Sequence, residues 1–216
     1  MVLKTVCVLV AAALGFAIGG CDSSGIYNKV PPAYNLTENQ GKKIFIWVES
    51  PRWAVADSDA ADKLAQAIRN HLVFKAKIKP DNILVSNSIR GGSPAVHWTP
   101  EAAAIQAGAG LSLFVRIEEY ELLPVSIRDY YSGRMLTRAI LLDAQTGTPL
   151  WPTDKQGKVH DIVIELGEGG REAVLSRMTD DTAHCIARDL YPIVKMHYKN
   201  PDERISAQEA FETETF

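Results

Sequence analysis

The stretch SGRMLTRAILLDAQTGTPLW, residues 132–151, decides the fold. It predicts two strands, at residues 132–143 and 148–151, joined by the turn AQTG. Gly147 closes this turn at a position that tolerates a positive φ. A hairpin here would make part of the sheet antiparallel, because strands joined by a tight turn run in opposite directions.

Further strands are predicted on both sides of this hairpin. Residues 43–49 (KIFIWVE) are nearly continuously apolar, as expected for a strand that is covered on both faces. Residues 111–122 alternate, which is typical of a half-exposed strand, and their apolar side carries Leu111, Leu113, Val115 and Ile117. Two more strands are predicted at residues 82–86 and 159–166.

Three helices are also predicted. The first runs from capping candidates at residues 57–59 to about Lys75, and its apolar face carries Ala61, Leu64, Ala65, Ile68 and Leu72. The second begins at Thr99, which caps it ahead of Pro100. The third runs from Glu172 to about Tyr198, with a kink expected at Pro192.

The order of these elements predicts the fold class. Strand, helix, strand and helix are followed by a meander of three or four strands and a closing helix. Helices packed on one mixed sheet enclose one core. The sequence therefore predicts a single compact α/β (α+β) domain over residues 42–198.

The N-terminal residues are predicted to form an export signal. Lys4 precedes an apolar run at residues 5–18, which is shorter than the roughly 20 residues of a membrane-spanning helix. Gly19 and Gly20 then lead into Cys21, and this arrangement resembles the bacterial lipobox. Residues 1–20 are thus predicted to be a lipoprotein signal peptide and Cys21 the lipidation site. An ordinary free cysteine after a secretory signal stays open as the alternative.

Two flanking segments are predicted outside the domain. Residues 21–41 are polar and interrupted by Pro31 and Pro32, so they are interpreted as a flexible tether. Residues 199–216 are acidic and lack a clear apolar face, so they are interpreted as a disordered tail.

Composition limits the function classes. The chain has 216 residues, with 46% hydrophobic and 23% charged, which is typical of a globular protein. The net charge of -3 and the lack of basic runs argue against nucleic acid as a partner. Only Cys185 remains for the mature domain once Cys7 and Cys21 are assigned to the signal and the lipid, so no structural disulfide is expected.

The motifs do not predict an enzyme. GEGG at residues 167–170 fits neither the dinucleotide fingerprint nor the P-loop. Asp180 and His184 share a helix face, but His197 is too far along to complete a metal site. Cys185 falls in an apolar helical series and is interpreted as a core residue. We therefore expect no cofactor, no metal and no catalysis, with an enzyme kept as a third possibility.

One pair of acids and several aromatics were considered as sites. Glu118 and Glu119 are adjacent on a strand and are expected to point to opposite faces. Trp53 lies beside a loop. The candidate partner-binding patch is Tyr130, Tyr131, Arg128, Arg134 and Trp53, because aromatic and arginine side chains are enriched at interfaces.

The hairpin also carries a family resemblance. DAQTGTPLW, residues 143–151, resembles a D-x-x-T-G-x-x-L-W hairpin of bacterial envelope lipoproteins, namely the curli-secretion (CsgG-like), penicillin-binding-protein activator (LpoB-like) and TolB amino-terminal groups. AGAG at residues 107–110, running into the strand at 111–117, is similar to a passage of the same group. The resemblance implies an anticodon-binding-like α/β fold and a non-catalytic, lipid-anchored binding or assembly module that faces the periplasm.

A second resemblance points to transport. Arg52-Trp53-Ala54 before the first long helix is similar to the auxiliary lipoproteins of ABC-type lipid transporters, which implies a transporter subunit that carries a small apolar ligand or docks on a permease. An apolar groove beside the first helix would favour this alternative. A flat polar and aromatic patch around Tyr130 and Tyr131 would favour the binding module. The partner is expected to be the membrane through Cys21 and another envelope protein.

Overall fold

The computed structural model describes residues 27–39, 41–50, 59–86, 99–126 and 128–196. The predicted signal peptide, Cys21, Trp53 and the tail at 199–216 lie outside these residues. The chain divides into two compact units. One is residues 31–193, and the other contains β1 (Tyr27–Val30), which pairs with β8 (Ile193–Met196) as a two-stranded sheet.

A six-stranded mixed sheet forms the centre of residues 31–193. The strands are β2 (Ile44–Glu49), β3 (Ile83–Val85), β4 (Leu111–Pro124), β5 (Tyr131–Asp143), β6 (Pro149–Trp151) and β7 (Lys158–Gly167). Their order in the sheet is β3-β2-β4-β5, and β5 then pairs with β6 near its C-terminal end and with β7 along the rest of its length. β2 runs parallel to β3 and β4, whereas the pairs that β5 forms with β4, β6 and β7 are antiparallel.

The turn between β5 and β6 forms as predicted. The carboxylate of Asp143 accepts hydrogen bonds from the backbone N–H groups of Gln145 at 3.0 Å and Thr146 at 3.1 Å. Gly147 has a φ of 66°, a conformation that costs glycine little. The Thr146 N–H and the neighbouring Lys42 ammonium favour the ionised carboxylate, so the pKa of Asp143 lies below its usual value.

Three helices pack on the sheet, namely α1 (Ala60–Phe74), α2 (Pro100–Gln106) and α3 (Gly170–Ala187). α1 and α3 cover one face, while the short α2 covers part of the other face at β2 and β4. Thr99 caps α2 as predicted, because its hydroxyl accepts from the N–H of Ala102 at 3.3 Å.

The main core lies between the sheet and the α1–α3 pair. The alternating residues of β4 that were predicted to be buried are 0% exposed, as are Leu64 and Ile68 of α1. β2 is covered on both faces, because Ile44 and Ile46 join the main core while Phe45 packs under α2. The predicted α/β domain with helices packed on a mixed sheet is therefore confirmed.

The closing helix is shorter than predicted. It ends at Ala187, and the chain then passes through Pro192 into β8. The apolar series through Leu190 and Ile193 continues the helical spacing, but Pro192 has no N–H to donate and its ring excludes the preceding helical turn. The prediction that this helix continues to Tyr198 with a kink at Pro192 is wrong, because the strand β8 follows Pro192 instead.

Residues 31–39 pack against the domain instead of forming part of a tether. A 3-10 turn at Leu36–Asn39 buries Leu36, which is 1% exposed in the main core. The backbone N–H of Leu36 donates to the carbonyl of Leu190 at 3.0 Å. The predicted flexible tether over 21–41 is therefore wrong for these residues, which start the domain about ten residues earlier.

No described helix combines the length and the apolar character that crossing a bilayer requires.

Candidate interaction surface

The sheet face that α1 and α3 leave uncovered is only partly closed by α2. Over β4, β5 and β7 this face is exposed, and we call it the open face. β5 alternates, with Met135, Thr137 and Ala139 buried toward α3 and the residues between them partly exposed on the open face. Side chains on the open face include Arg116, Glu118, Glu119, Arg134, Leu136, Arg138, Val159, Asp161 and Val163, and Glu121 and Leu123 continue this face along β4.

Arg134 occupies the centre of the open face and joins three strands. Its Nε and Nη2 donate to the two carboxylate oxygens of Asp161 on β7, at 3.0 and 2.9 Å. Its Nη1 lies 2.8 Å from Oε2 of Glu119 on β4. The guanidinium of Arg134 keeps the pKa of Asp161 below its usual value, and Asp161 in turn raises the pKa of Arg134.

Two further ion pairs cross the strands of the open face. Arg138 donates from Nε to Glu118 Oε1 at 2.6 Å and from Nη2 to Glu118 Oε2 at 3.2 Å. Arg116 donates from Nε to Glu49 Oε2 at 3.0 Å. Each of these two arginines is therefore held by a carboxylate of an adjacent strand.

The adjacent acids of β4 lie on one face, contrary to the prediction. The pairing of β4 with β5 shifts between Ile117 and Glu119, as at a β-bulge. The extra residue cancels the alternation, so the carboxylates of Glu118 and Glu119 both reach arginines of the open face. Each acid binds a different arginine, so they do not form an acid–base pair.

Apolar side chains lie beside these ion pairs. Val159 is 45% exposed and Val163 is 57% exposed, both on β7. Their cross-strand partners on β5 are Arg138 and Arg134. On the open face, exposed valines therefore lie next to arginines that are held in ion pairs.

The predicted patch of Tyr130, Tyr131, Arg128 and Arg134 is not one surface. Tyr131 packs against the main core on the α3 side, whereas Arg134, three residues later, lies on the open face. Tyr130 is partly buried, and its carbonyl accepts from the N–H of Val125 at 3.0 Å. Arg128 is exposed at the turn and lies 3.6 Å from Asp129. Trp53 lies outside the described residues.

A pocket of about 440 Å³ opens beside α2 at one end of the open face. Phe114, Ile140 and Leu142 line it with apolar surface, and Arg116 lies 5.7 Å from the centre of the Phe114 ring. Lys155 and Glu101 lie at its walls. The pocket therefore offers a small apolar floor within a charged rim.

The groove beside the first long helix is polar. It lies between α1 and α3 and is lined by Asp59, Asp62, Lys63, Glu172 and Asp180, among others. Lys63 binds both Asp59 at 3.0 Å and Glu172 at 2.9 Å, so the groove is closed by ion pairs. The apolar groove that would have favoured a transporter subunit is not formed at this place.

The titratable residues of α3 do not converge on a site. His71 Nε2 lies 3.0 Å from Asp180 Oδ1, and the His71 ring is 5.5 Å from that of His184. Across the described part of the chain, no group of three or more potential ligands could hold a metal ion. Cys185 is partly buried, and burial raises the pKa of its thiol.

A buried histidine, His160, lies on the core side of β7. His160 of β7 is 8% exposed, lies 6.2 Å from the ring of Trp151, and has no hydrogen-bond partner at Nε2. Its burial lowers its pKa to about 4, because the charged form loses its hydration. His160 is thus a neutral core residue at physiological pH.

Asp161 and Val163 of the open face were not among the residues predicted to contact a partner. A signal was available for β7, because KVHDIVIE alternates and places Val159, Asp161 and Val163 on one side. The partners of these residues depend on the pairing of β5 with both neighbours, which no local pattern predicts.

Comparison with known proteins gives structural likeness only. No family model and no curated protein matches the chain. The PelC dodecamer from Paraburkholderia phytofirmans is 13% identical with a TM-score of 0.45, and the match covers 76% of this chain and 96% of that chain.

Two further solved structures match over about two thirds of the chain. Lipoprotein GNA1162 from Neisseria meningitidis is 16% identical with a TM-score of 0.40, and the match covers 67% of this chain and 98% of that one. The hypothetical protein CT253 from Chlamydia trachomatis is 12% identical with a TM-score of 0.39, covering 68% and 96%. At these values the likeness does not identify a family.

Proposed function

We propose that the chain is a lipid-anchored protein of the bacterial cell envelope whose domain faces the periplasm and acts as a non-catalytic binding or assembly module. The anchor is supported by the sequence around Cys21, where a short apolar run and two glycines precede the cysteine. The observation that carries the binding role is the open face of β4, β5 and β7.

The chemistry of the open face suits a protein partner. Arg134 and Arg138 are held by carboxylates before any partner arrives, so they lose little side-chain freedom on binding. Val159 and Val163 supply apolar area between them. Arginine is enriched at protein interfaces, and the valines between the arginines supply apolar area that a partner can bury.

The same features argue against proton transfer at this face. Arg134 keeps Asp161 ionised, because it holds both oxygens of that carboxylate. A general acid or base needs a pKa near the working pH, whereas the pKa of Asp161 is shifted away from it. The open face is therefore better suited to contact than to catalysis.

Site-specific photocrosslinking of the full chain in its native membrane tests this proposal. A photoreactive residue at Leu123, which is 56% exposed on the hairpin formed by β4 and β5, is expected to form adducts with another envelope protein. The matched control is Phe74 at the end of α1, which is 66% exposed and apolar, and it is expected to give none. Arg134→Glu should reduce the adduct yield at Leu123.

Identification of the adduct by mass spectrometry decides the role. A cell-wall synthase or another assembly component would support the proposed module. Equal adduct yields at Leu123 and Phe74, or none at Leu123, would overturn it. Adducts between two copies of the chain are separated by their mass and are not counted here.

A second candidate function rests on the pocket beside α2. Its floor of Phe114, Ile140 and Leu142 could hold a small apolar ligand, as an auxiliary subunit of an ABC-type lipid or solute transporter would need. An apolar fluorescent probe should bind the full chain, and Ile140→Glu should abolish that binding while a Phe74→Glu control retains it. Recovery of a permease at Leu123 would favour this function over the first.

A further inference from the structure

β7 is an edge strand with one unpaired side. Among the described strands it pairs only with β5, so ten residues of backbone on its other side have no strand partner. The strand lacks proline, and Val159, Val163 and Leu166 are exposed along it. A long unpaired edge that exposes apolar side chains can recruit another strand.

α3 packs beside this edge strand. It packs on β5 and β7 alike, whereas α1 covers β2 and β3. A helix centred between β5 and β7 lies about 2.4 Å inside β7, and a new strand seam lies about 2.4 Å outside it. A two-fold axis on that seam would place two α3 helices about 10 Å apart, which is a normal packing distance.

We infer that β7 pairs in antiparallel fashion with β7 of a second copy of this chain, with Ile162 opposite Ile162. Over residues 160–164, where β7 alternates regularly, this register keeps each side chain on its own face of the joined sheet. It places Asp161 opposite Val163 of the second copy. The two neighbouring registers that also keep the faces place Asp161 opposite Asp161 or opposite Glu165, and like charges directly opposite destabilise a pair.

The flank of α3 is self-complementary about the same axis. Arg177 and Asp181 lie one turn apart on the side away from α1, 3.9 Å from each other. Two antiparallel helices bring Arg177 of one copy toward Asp181 of the other. The hydroxyl of Thr182 lies 3.5 Å from Met135 Sδ, and Met135 pairs with Ile162, so this turn of α3 lies near the level of the axis.

Opposite charges at one exposed position test this register. In the full chain in detergent, Val163→Asp would face Asp161 of the second copy at two places and is expected to raise the dimer dissociation constant about tenfold. Val163→Lys would face the same carboxylates and is expected to lower it. Leu123→Asp, exposed on the same face but away from the edge, is the control and should change it less than about twofold. Sedimentation velocity measures each constant.

A disulfide test reads the same register directly. Chains with Asp161→Cys and chains with Val163→Cys, both in a background in which Cys7, Cys21 and Cys185 are replaced by alanine, are mixed and oxidised. The inferred register predicts mixed disulfides between the two kinds of chain, because directly opposite Cβ atoms lie about 5 Å apart. Disulfides confined to Val163→Cys chains, or no disulfide at all, would overturn it.

Other outcomes of the sedimentation experiment also test whether β7 pairs with β7 of a second copy. A chain that stays monomeric at every concentration, or equal weakening by Val163→Asp and Val163→Lys, overturns the inference. If the monomeric chain instead loses capture of a different protein on Val163→Asp, the edge takes a foreign strand. The inference does not depend on the proposed envelope function, because adducts from Leu123 with another protein are scored separately.

Discussion

Arg134 holds carboxylates from both neighbouring strands, so removal of its charge should be visible at Asp161. In Arg134→Met the pKa of Asp161 should rise back toward its ordinary value of 3.8, because the guanidinium that favours the ionised form is gone. Carboxyl carbon NMR titration measures this pKa. Arg128→Met is the matched control, since Arg128 is exposed at the turn and lies 3.6 Å from Asp129. An unchanged Asp161 titration in Arg134→Met would contradict the network.

His160 should make the domain less stable in acid. The unfolded chain takes up a proton at the ordinary pKa of 6.5, whereas the folded chain does so only near 4. The unfolded state therefore binds more protons between these values, and stability falls as the pH drops through this window. The loss approaches about 3 kcal/mol near pH 4.

Comparison of two chains isolates the contribution of His160. Urea unfolding of the wild type and of His160→Leu at several values between pH 4 and pH 7 measures the free energy of unfolding. The difference between the chains should change with pH in the direction given above and level off above about pH 7. The same pH dependence in both chains would show that His160 is not buried as a neutral group.

Arg134 shows which features of a single residue could be predicted from the sequence and which could not. Its residue type marked it as an interface candidate, and the open face contains it. Its grouping with Tyr131 failed, because residues three apart on a strand point to opposite faces. Its two carboxylate partners lie 15 residues before it and 27 residues after it, and only strand pairing brings them together.

At the scale of elements, short sequence motifs correctly predicted a helix start and a turn that depend only on neighbouring residues. Thr99 with Pro100 marked the start of α2, and AQTG marked the turn after β5, because caps and turns are satisfied within a few residues. The end of α3 was missed since apolar spacing through Leu190 suits a helix or a strand at that length. The burial of Leu36 depends on contacts with the distant Leu190 segment, which periodicity does not report.

The junction between β7 and α3 requires a residue without a side chain. A Cβ on Gly167 would lie 2.6 Å from Val174 Cγ2 and 3.1 Å from Ile164 Cγ2. Val174 belongs to the first turns of α3 and is 1% exposed, so it cannot move toward solvent. Gly167→Ala should therefore lower the free energy of unfolding by about 1–3 kcal/mol, the usual cost of overpacking.

Gly41→Ala is the control for this change. A Cβ on Gly41 would have nothing within 4 Å, so its substitution should change stability by less than about 0.5 kcal/mol. Urea unfolding of the three chains gives the comparison. Equal effects at both glycines would contradict the close docking of α3 on the end of β7.

At the scale of the whole molecule, the packing of residues 31–39 limits how far the domain can stand from its anchor. If Cys21 carries the lipid, nine residues lie between it and Pro31, and the ten fully extended steps from Cys21 to Pro31 span about 35 Å. The flexible segment predicted over 21–41 would have allowed about twice that distance. If Cys21 is lipidated, the start of the domain at Pro31 is therefore expected to lie within about 35 Å of the membrane surface.

That expectation depends on the lipid at Cys21, which acyl labelling tests. Cells fed a labelled fatty acid should incorporate it into the wild-type chain and into Cys7→Ala and Cys185→Ala, but not into Cys21→Ala, because only the thiol at position 21 follows the lipobox-like glycines. The two control substitutions remove the other cysteines of the chain. Label that persists in Cys21→Ala would place the acyl group elsewhere, and an unlabelled wild type would leave the domain without the anchor that brings it to its partner.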